Sequence, residues 1–94
     1  MSFKRVATQS GLNKIELAKL YGVSRQTVHY WLREGPPREN TYTARMAETI
    51  TAALMNAIRK KVLPLPPMDK AARKARVTKM AATLQGLKPA PMKD

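Results

Sequence analysis

The chain has 94 residues, with 18 basic and 6 acidic side chains, a net charge of +12 and a sequence pI of about 10.7. That length allows one small domain, with at most an appendage, and the charge favours a polyanionic partner, nucleic acid ahead of an anionic membrane surface. The lack of cysteine excludes disulfides and thiolate metal sites. No apolar run approaches the ~18 residues of a membrane span and the N-terminus lacks a signal-peptide hydrophobic region, so a cytoplasmic protein with no membrane partner is expected.

Residues 3–9, FKRVATQ, read as a short first helix closed by Ser10-Gly11. Phe3, Val6 and Ala7 give it an apolar edge at helical spacing, while Lys4 and Arg5 are solvated. Asn13 caps the next helix, with Glu16 three residues later, the spacing of a capping box. Leu17, Ala18 and Tyr21 share its inward face, and Leu20 flanks that face. Gly22-Val23 make a turn in which glycine supplies a positive φ. Ser24 is a good N-cap for a helix over residues 25–33. At ~100° per residue, Val28, Trp31 and Leu32 gather on one side of that helix. Arg25, Gln26, His29 and Arg33 gather on the other, with Tyr30 at the border and Thr27 nearer the buried side. Such an outer face suits base reading: Arg matches guanine O6 and N7, and Gln matches adenine N6 and N7. Tyr30 can pack on a thymine methyl or bond a phosphate. An ordinary solvated face is the competing reading of Arg25, Gln26 and Arg33. Trp31 falls at a core position. His29 is the single histidine and has no partner at ligand spacing, so no metal is expected.

Gly35 is expected to end this helix in the left-handed conformation, and Pro36-Pro37 forbid its continuation. Asn40 or Thr41 then caps a helix running to about Val62. Met46, Ala47, Ile50, Ala53, Leu54, Ala57 and Ile58 form one stripe along it. Two readings of that stripe stay open: it is core throughout, or its second half overhangs and meets another copy. LPLPPM, residues 63–68, is a break whose prolines favour an extended connector. Asp69 caps a last helix, Lys70 to Gln85, closed by Gly86. Its stripe is narrow (Val77, Met80, Ala81, Leu84) and is flanked by Arg73, Lys74, Arg76 and Lys79. A helix like this does not fold alone. It docks on the globular part, swaps onto a neighbouring subunit, lies along DNA phosphates or binds an acidic partner; docking within an oligomer, with added phosphate contacts, is preferred. Residues 88–94 read as frayed.

Residues 14–33 resemble the helix-turn-helix of phage repressors and Cro-type regulators, with Ala18, Gly22, Val23, Val28 and Trp31 at its five constrained offsets. W-L-R-E-G-P-P, residues 31–37, resembles the W-E-x-G-x-x-x-P punctuation after the recognition helix of those proteins. It also resembles the R-E-G-x-x-P of MerR-like and excisionase-like winged domains, but the helical pattern after residue 40 leaves little room for a wing. The resemblance spans residues 12–37, and the longer first helix usual in the repressor family is missing. The expected architecture is all-α: a helix-turn-helix domain of about four helices over residues 1–62, a Pro-rich connector over 63–69, and a basic helix and tail over 70–94. The resemblance implies a sequence-specific double-stranded DNA-binding transcriptional regulator of phage or mobile-element type, nucleoid-associated in a bacterial host. It implies base contacts from Arg25 and Gln26, with His29 and Tyr30 further along the groove. Lys14, Ser24, Thr27, Arg33 and Arg38 are the expected DNA-backbone contacts. A homodimer through residues 41–62, 70–87 or both would read two half-sites.

Two other classes compete. Small terminase subunits of phages also carry an N-terminal helix-turn-helix followed by oligomerising helices, which points to DNA packaging. A module that modulates host RNA polymerase through residues 63–94 is the third. No enzyme and no cofactor are expected: the chain has no Ser-His-Asp or Cys-His set, no phosphate-cradling glycine loop and no paired carboxylates.

Overall fold

Asn13, Ser24, Thr41 and Asp69 each start a helix by taking up a free backbone N–H. The computed structural model describes residues 3–39 and 41–89. In chain order these form α1 (Phe3–Ser10), α2 (Lys14–Tyr21), α3 (Arg25–Glu34), α4 (Tyr42–Arg59) and α5 (Lys70–Gln85), with no strand among the described residues. The expected all-α class, with its last helix beyond a proline-rich gap, is what the structure has. Asn13, Ser24, Thr41 and Asp69 accept from the N–H groups of Glu16, Thr27, Ala44 and Ala72 at the starts of α2 to α5. Glu16 in turn accepts from the Asn13 N–H at 3.0 Å, which completes the capping box. Asn40, the other cap considered for α4, and residues 90–94 of the tail lie outside the described residues.

The helix ends depart from expectation in two places. Gly35 has a positive φ of 89° with a ψ of 161°, which is not the left-handed helical pair but a region open essentially to glycine. Helix α4 stops at Arg59, short of Val62. The Lys61 N–H bonds to the Ile58 carbonyl at 3.1 Å and the Val62 N–H to the Ala57 carbonyl at 2.9 Å, the two bonds of a Schellman ending. Lys61 holds the left-handed φ of 61° that this ending needs. A lysine there left no glycine in the sequence to mark the stop.

One core joins all five helices. The α4 stripe is used inside the chain along its length: Met46, Ala47, Ile50 and Leu54 are buried, and Ala53, Ala57 and Ile58 pack half-buried against them. The second half of the stripe thus packs on this chain's own core, with its outer members left half-exposed. The connector is packed as well, because Leu63 and Leu65 turn into the core while the prolines between and after them stay exposed. It runs close against the α1–α2 turn: a Cβ on Gly11, whose φ is +69°, would sit 2.8 Å from Pro64 Cβ. Leu20 does not merely flank the α2 face; it is fully buried, because α5 covers that side.

Helix α5 lies along α2. Arg73 donates from Nε and Nη2 to the two carboxylate oxygens of Glu16, at 2.6 and 3.0 Å, and from Nη2 to the Gly11 carbonyl at 3.1 Å. Lys19 Nζ donates to Thr78 Oγ1 at 2.6 Å, and Gln85 Nε2 to the Lys19 carbonyl at 2.6 Å. Pairing position 73 with 16 and positions 78 and 85 with 19 makes the two helices run the same way. Val77, Ala81 and Leu84 are buried beneath these bonds, with Met80 half-buried. Docking on the globular part is therefore the course the last helix takes. Arg73, one of the basic residues flanking the stripe, is its charged anchor.

A polar pair inside the core ties α2 to α4. Tyr21 Oη and Thr51 Oγ1 share a hydrogen bond of 2.7 Å. Burial pushes the Tyr21 phenol up to about 12. The unfolded chain then ionises first, so this contribution is whole below a pH of about 10 and is lost as pH rises toward the folded value. Between about pH 8 and about pH 11, wild type is expected to lose about 1.4 kcal/mol more than Tyr21→Phe/Thr51→Val in urea unfolding. Parallel profiles for the two proteins would contradict the burial of the phenol.

Candidate nucleic-acid interface

The helix-turn-helix unit is set by local geometry first. Gly22 takes a left-handed φ of 67° and ψ of 34°, and its N–H and that of Val23 both bond to the Ala18 carbonyl. Ser24 Oγ accepts from the Thr27 N–H at 3.0 Å and lies 2.8 Å from Thr27 Oγ1. Helix α3 therefore leaves α2 after a three-residue turn with the Thr27 N–H already capped by Ser24. Its first turn holds no acidic residue, so the positive end of the helix dipole is not countered there.

The underside of α3 is anchored by Val28, 0 % exposed, and Trp31, 4 % exposed. Trp31 meets Phe3 and Tyr21 edge to face, with ring centroids 5.6 and 5.7 Å away, and Phe3 meets Tyr21 at 5.2 Å. The outer face carries Arg25, Gln26, His29, Tyr30 and Arg33, all exposed. Helix α5 packs on α2 and α4 and leaves this face open. The side chains of Arg25, Gln26 and Tyr30 bond to no other described residue. Arg33 makes only a long contact with its neighbour Glu34, Nε to Oε1 3.6 Å, between exposed groups, a pair worth little.

The structure joins two residues that sequence reasoning had kept apart. Lys14 Nζ, in the first turn of α2, lies 2.9 Å from His29 Nδ1 on α3. Ser24 and Thr27 sit together at the α3 N-terminus beside Arg25. Arg38 stands apart from them, exposed beyond the far end of α3, where it borders an open groove of about 720 Å³ with Arg45 and Arg59. Among the described residues, no group of three or more His, Cys, Asp or Glu comes together to hold a metal, and no helix is long and apolar enough to cross a membrane.

A second pair that sequence reasoning missed is Glu16–Arg73. The Arg73 hydrogen bonds come first in holding the Glu16 carboxyl below its ordinary value; the Asn13 N–H and the guanidinium charge act the same way, and burial opposes them. The same bond raises Arg73. One signal was legible in advance: Glu16 is the single acidic residue before Glu34 in a strongly basic chain. With Arg73 spent on Glu16, α5 still shows Lys70, Lys74, Arg76 and Lys79 to solvent.

The geometry thus defines a helix-turn-helix unit with a basic and amide-bearing outer face, braced from behind by a fifth helix. Compared with protein-family models, with curated proteins and with solved structures, the chain matches none.

Proposed function

We propose that this protein is a sequence-specific double-stranded DNA-binding transcriptional regulator of the phage or mobile-element type, reading the major groove with α3. The observation that carries the reading is the outer face of α3: Arg25, Gln26, His29, Tyr30 and Arg33 stand exposed on a helix whose opposite side is fixed by Val28 and Trp31. A side chain reads bases only if its helix cannot rock, and the buried tryptophan supplies that stiffness. Arg25 and Gln26 make the first base contacts, with His29 and Tyr30 further along. Ser24, Thr27 and the α3 N-terminus hold one phosphate, and Lys14, Arg33 and Arg38 neutralise others. The excess of basic over acidic side chains provides the salt-dependent part of the affinity. A dimer would place two α3 helices in successive grooves about 34 Å apart, which puts the protein on the host nucleoid.

Selection of bound duplexes from a random pool, at one fixed salt concentration, tests this. A palindromic consensus is expected. Gln26→Ala is then expected to relax preference at one base pair by about 1–3 kcal/mol and leave the other positions unchanged. Equal weakening on every duplex would remove Gln26 from base reading.

A further inference from the structure

We infer that Lys14 is a positioning residue for His29: it fixes which edge of the imidazole faces outward and so commits His29 to guanine. The inference rests on the DNA-reading role proposed above and adds the base class read at one position. A lysine ammonium has three donors and no acceptor. At 2.9 Å from His29 Nδ1 it can only donate, so Nδ1 is the acceptor and the ring proton of the neutral imidazole sits on Nε2. Lys14 is itself half-buried at the start of α2, held there by the Asn13–Glu16 capping box. His29 is exposed on α3, one residue after the fully buried Val28. One end of the ring is thus tied to a second helix, and the free end is an N–H donor on the outer face.

A single outward donor does not treat the four bases alike. Guanine offers two acceptors, O6 and N7, on its major-groove edge and no donor. Cytosine offers a donor there, adenine sets a donor beside its one acceptor, and thymine sets a methyl beside its O4. The Lys14 charge next to the ring favours the same acceptor-rich edge. Without Lys14 the ring is free to turn and to move its proton, and it would accept from cytosine or adenine as readily as donate to guanine. This separates the inference from a plain phosphate contact by Lys14, which carries no sequence information.

The test has two arms on the full-length chain. In the first, ring ¹⁵N spectra of the neutral imidazole are recorded without DNA for wild type, Lys14→Met and Lys14→Arg. Wild type is expected to show a pyrrole-type Nε2 and a pyridine-type Nδ1, Lys14→Met a shift toward a tautomer mixture, and Lys14→Arg the wild-type pattern. A proton on Nδ1 in wild type, or identical spectra for wild type and Lys14→Met, overturns the inference. In the second arm, duplex selection is repeated with the same three proteins. Lys14→Met is expected to lose about fivefold discrimination for guanine at one base pair, the worth of one hydrogen bond, and Lys14→Arg to restore it. Unchanged guanine discrimination, with only the uniform weakening and the salt slope lowered by about one that a lost phosphate contact brings, overturns the inference and leaves the DNA-reading role standing. Failure of wild type to select any consensus overturns both, and the spectra alone still report whether Lys14 holds the ring.

Discussion

Replacing Trp31 by alanine is expected to cost about 3–5 kcal/mol, a large part of the roughly 5–15 kcal/mol that holds a domain of this size together. Trp31 is nearly fully buried, and its ring closes an edge-to-face trio with Phe3 of α1 and Tyr21 of α2. Deleting it removes the transfer energy of an indole and leaves a cavity between three helices that short connections keep from collapsing. Helix α1 is the first casualty, because Phe3 loses one of its two ring partners and only Val6, Ala7 and Ser10 remain to seat it. Helix α3 is the second, because Val28 becomes its last fully buried contact. Urea unfolding followed by circular dichroism measures the cost; Trp31 is the single tryptophan, so its fluorescence disappears with it. Trp31→Phe, which keeps a ring in the trio, is expected to recover about half of the loss. A cost below about 1 kcal/mol for Trp31→Ala would contradict the packing described.

Trp31 was legible as core in the sequence, and so was the turn ahead of it, for the same reason: local rules leave few alternatives. Asn13 and Glu16 at capping-box spacing, Gly22 where φ must be positive, and Ser24 ahead of an apolar stripe each constrain the chain within a few residues. What was not legible depends on pairings across the chain. Leu20 looked peripheral because nothing within α2 shows that α5 covers it. The prolines of LPLPPM marked a break correctly, but they hid the inward turn of Leu63 and Leu65, which is decided by the groove they fill. The α4 stripe was visible; its packing on this chain's own core was not, since periodicity says that a face is buried and not by what. In the candidate interface, the outer face of α3 followed from the helical wheel. The Lys14–His29 bond did not, because it spans two helices whose crossing no pattern in the sequence sets.

Arg73→Met is expected to cost about 2–3 kcal/mol, between the value of an exposed ion pair and that of a buried one. The side chains set that range: Glu16 is 12 % exposed and Arg73 31 %, so the carboxylate is largely removed from water while its partner keeps a solvated edge. The methionine preserves the apolar stem and removes three hydrogen bonds, two to Glu16 and one to the Gly11 carbonyl. Glu16→Gln is the companion variant, because glutamine still completes the capping box through Oε1 while it loses the charge and the Oε2 acceptor of the Arg73 Nε bond. The double variant should cost less than the two single costs summed, since each single variant already breaks the same pair. The acid limb of the stability curve provides a separate check. Arg73 holds the folded-state carboxyl below its ordinary value, so the stability from Glu16 is present above the unfolded carboxylate pKa and is lost as pH falls through the folded value. Arg73→Met should flatten that limb, and Glu16→Gln should remove its share entirely. If both variants keep the wild-type acid profile, the carboxylate is not held by Arg73, and α5 is fixed by its apolar stripe and its bonds to Lys19. If the profiles change as expected, α5 is tied by charge to the first turn of α2, the turn that carries Lys14. Loosening it would then reach the candidate interface on α3 without touching any residue of its outer face.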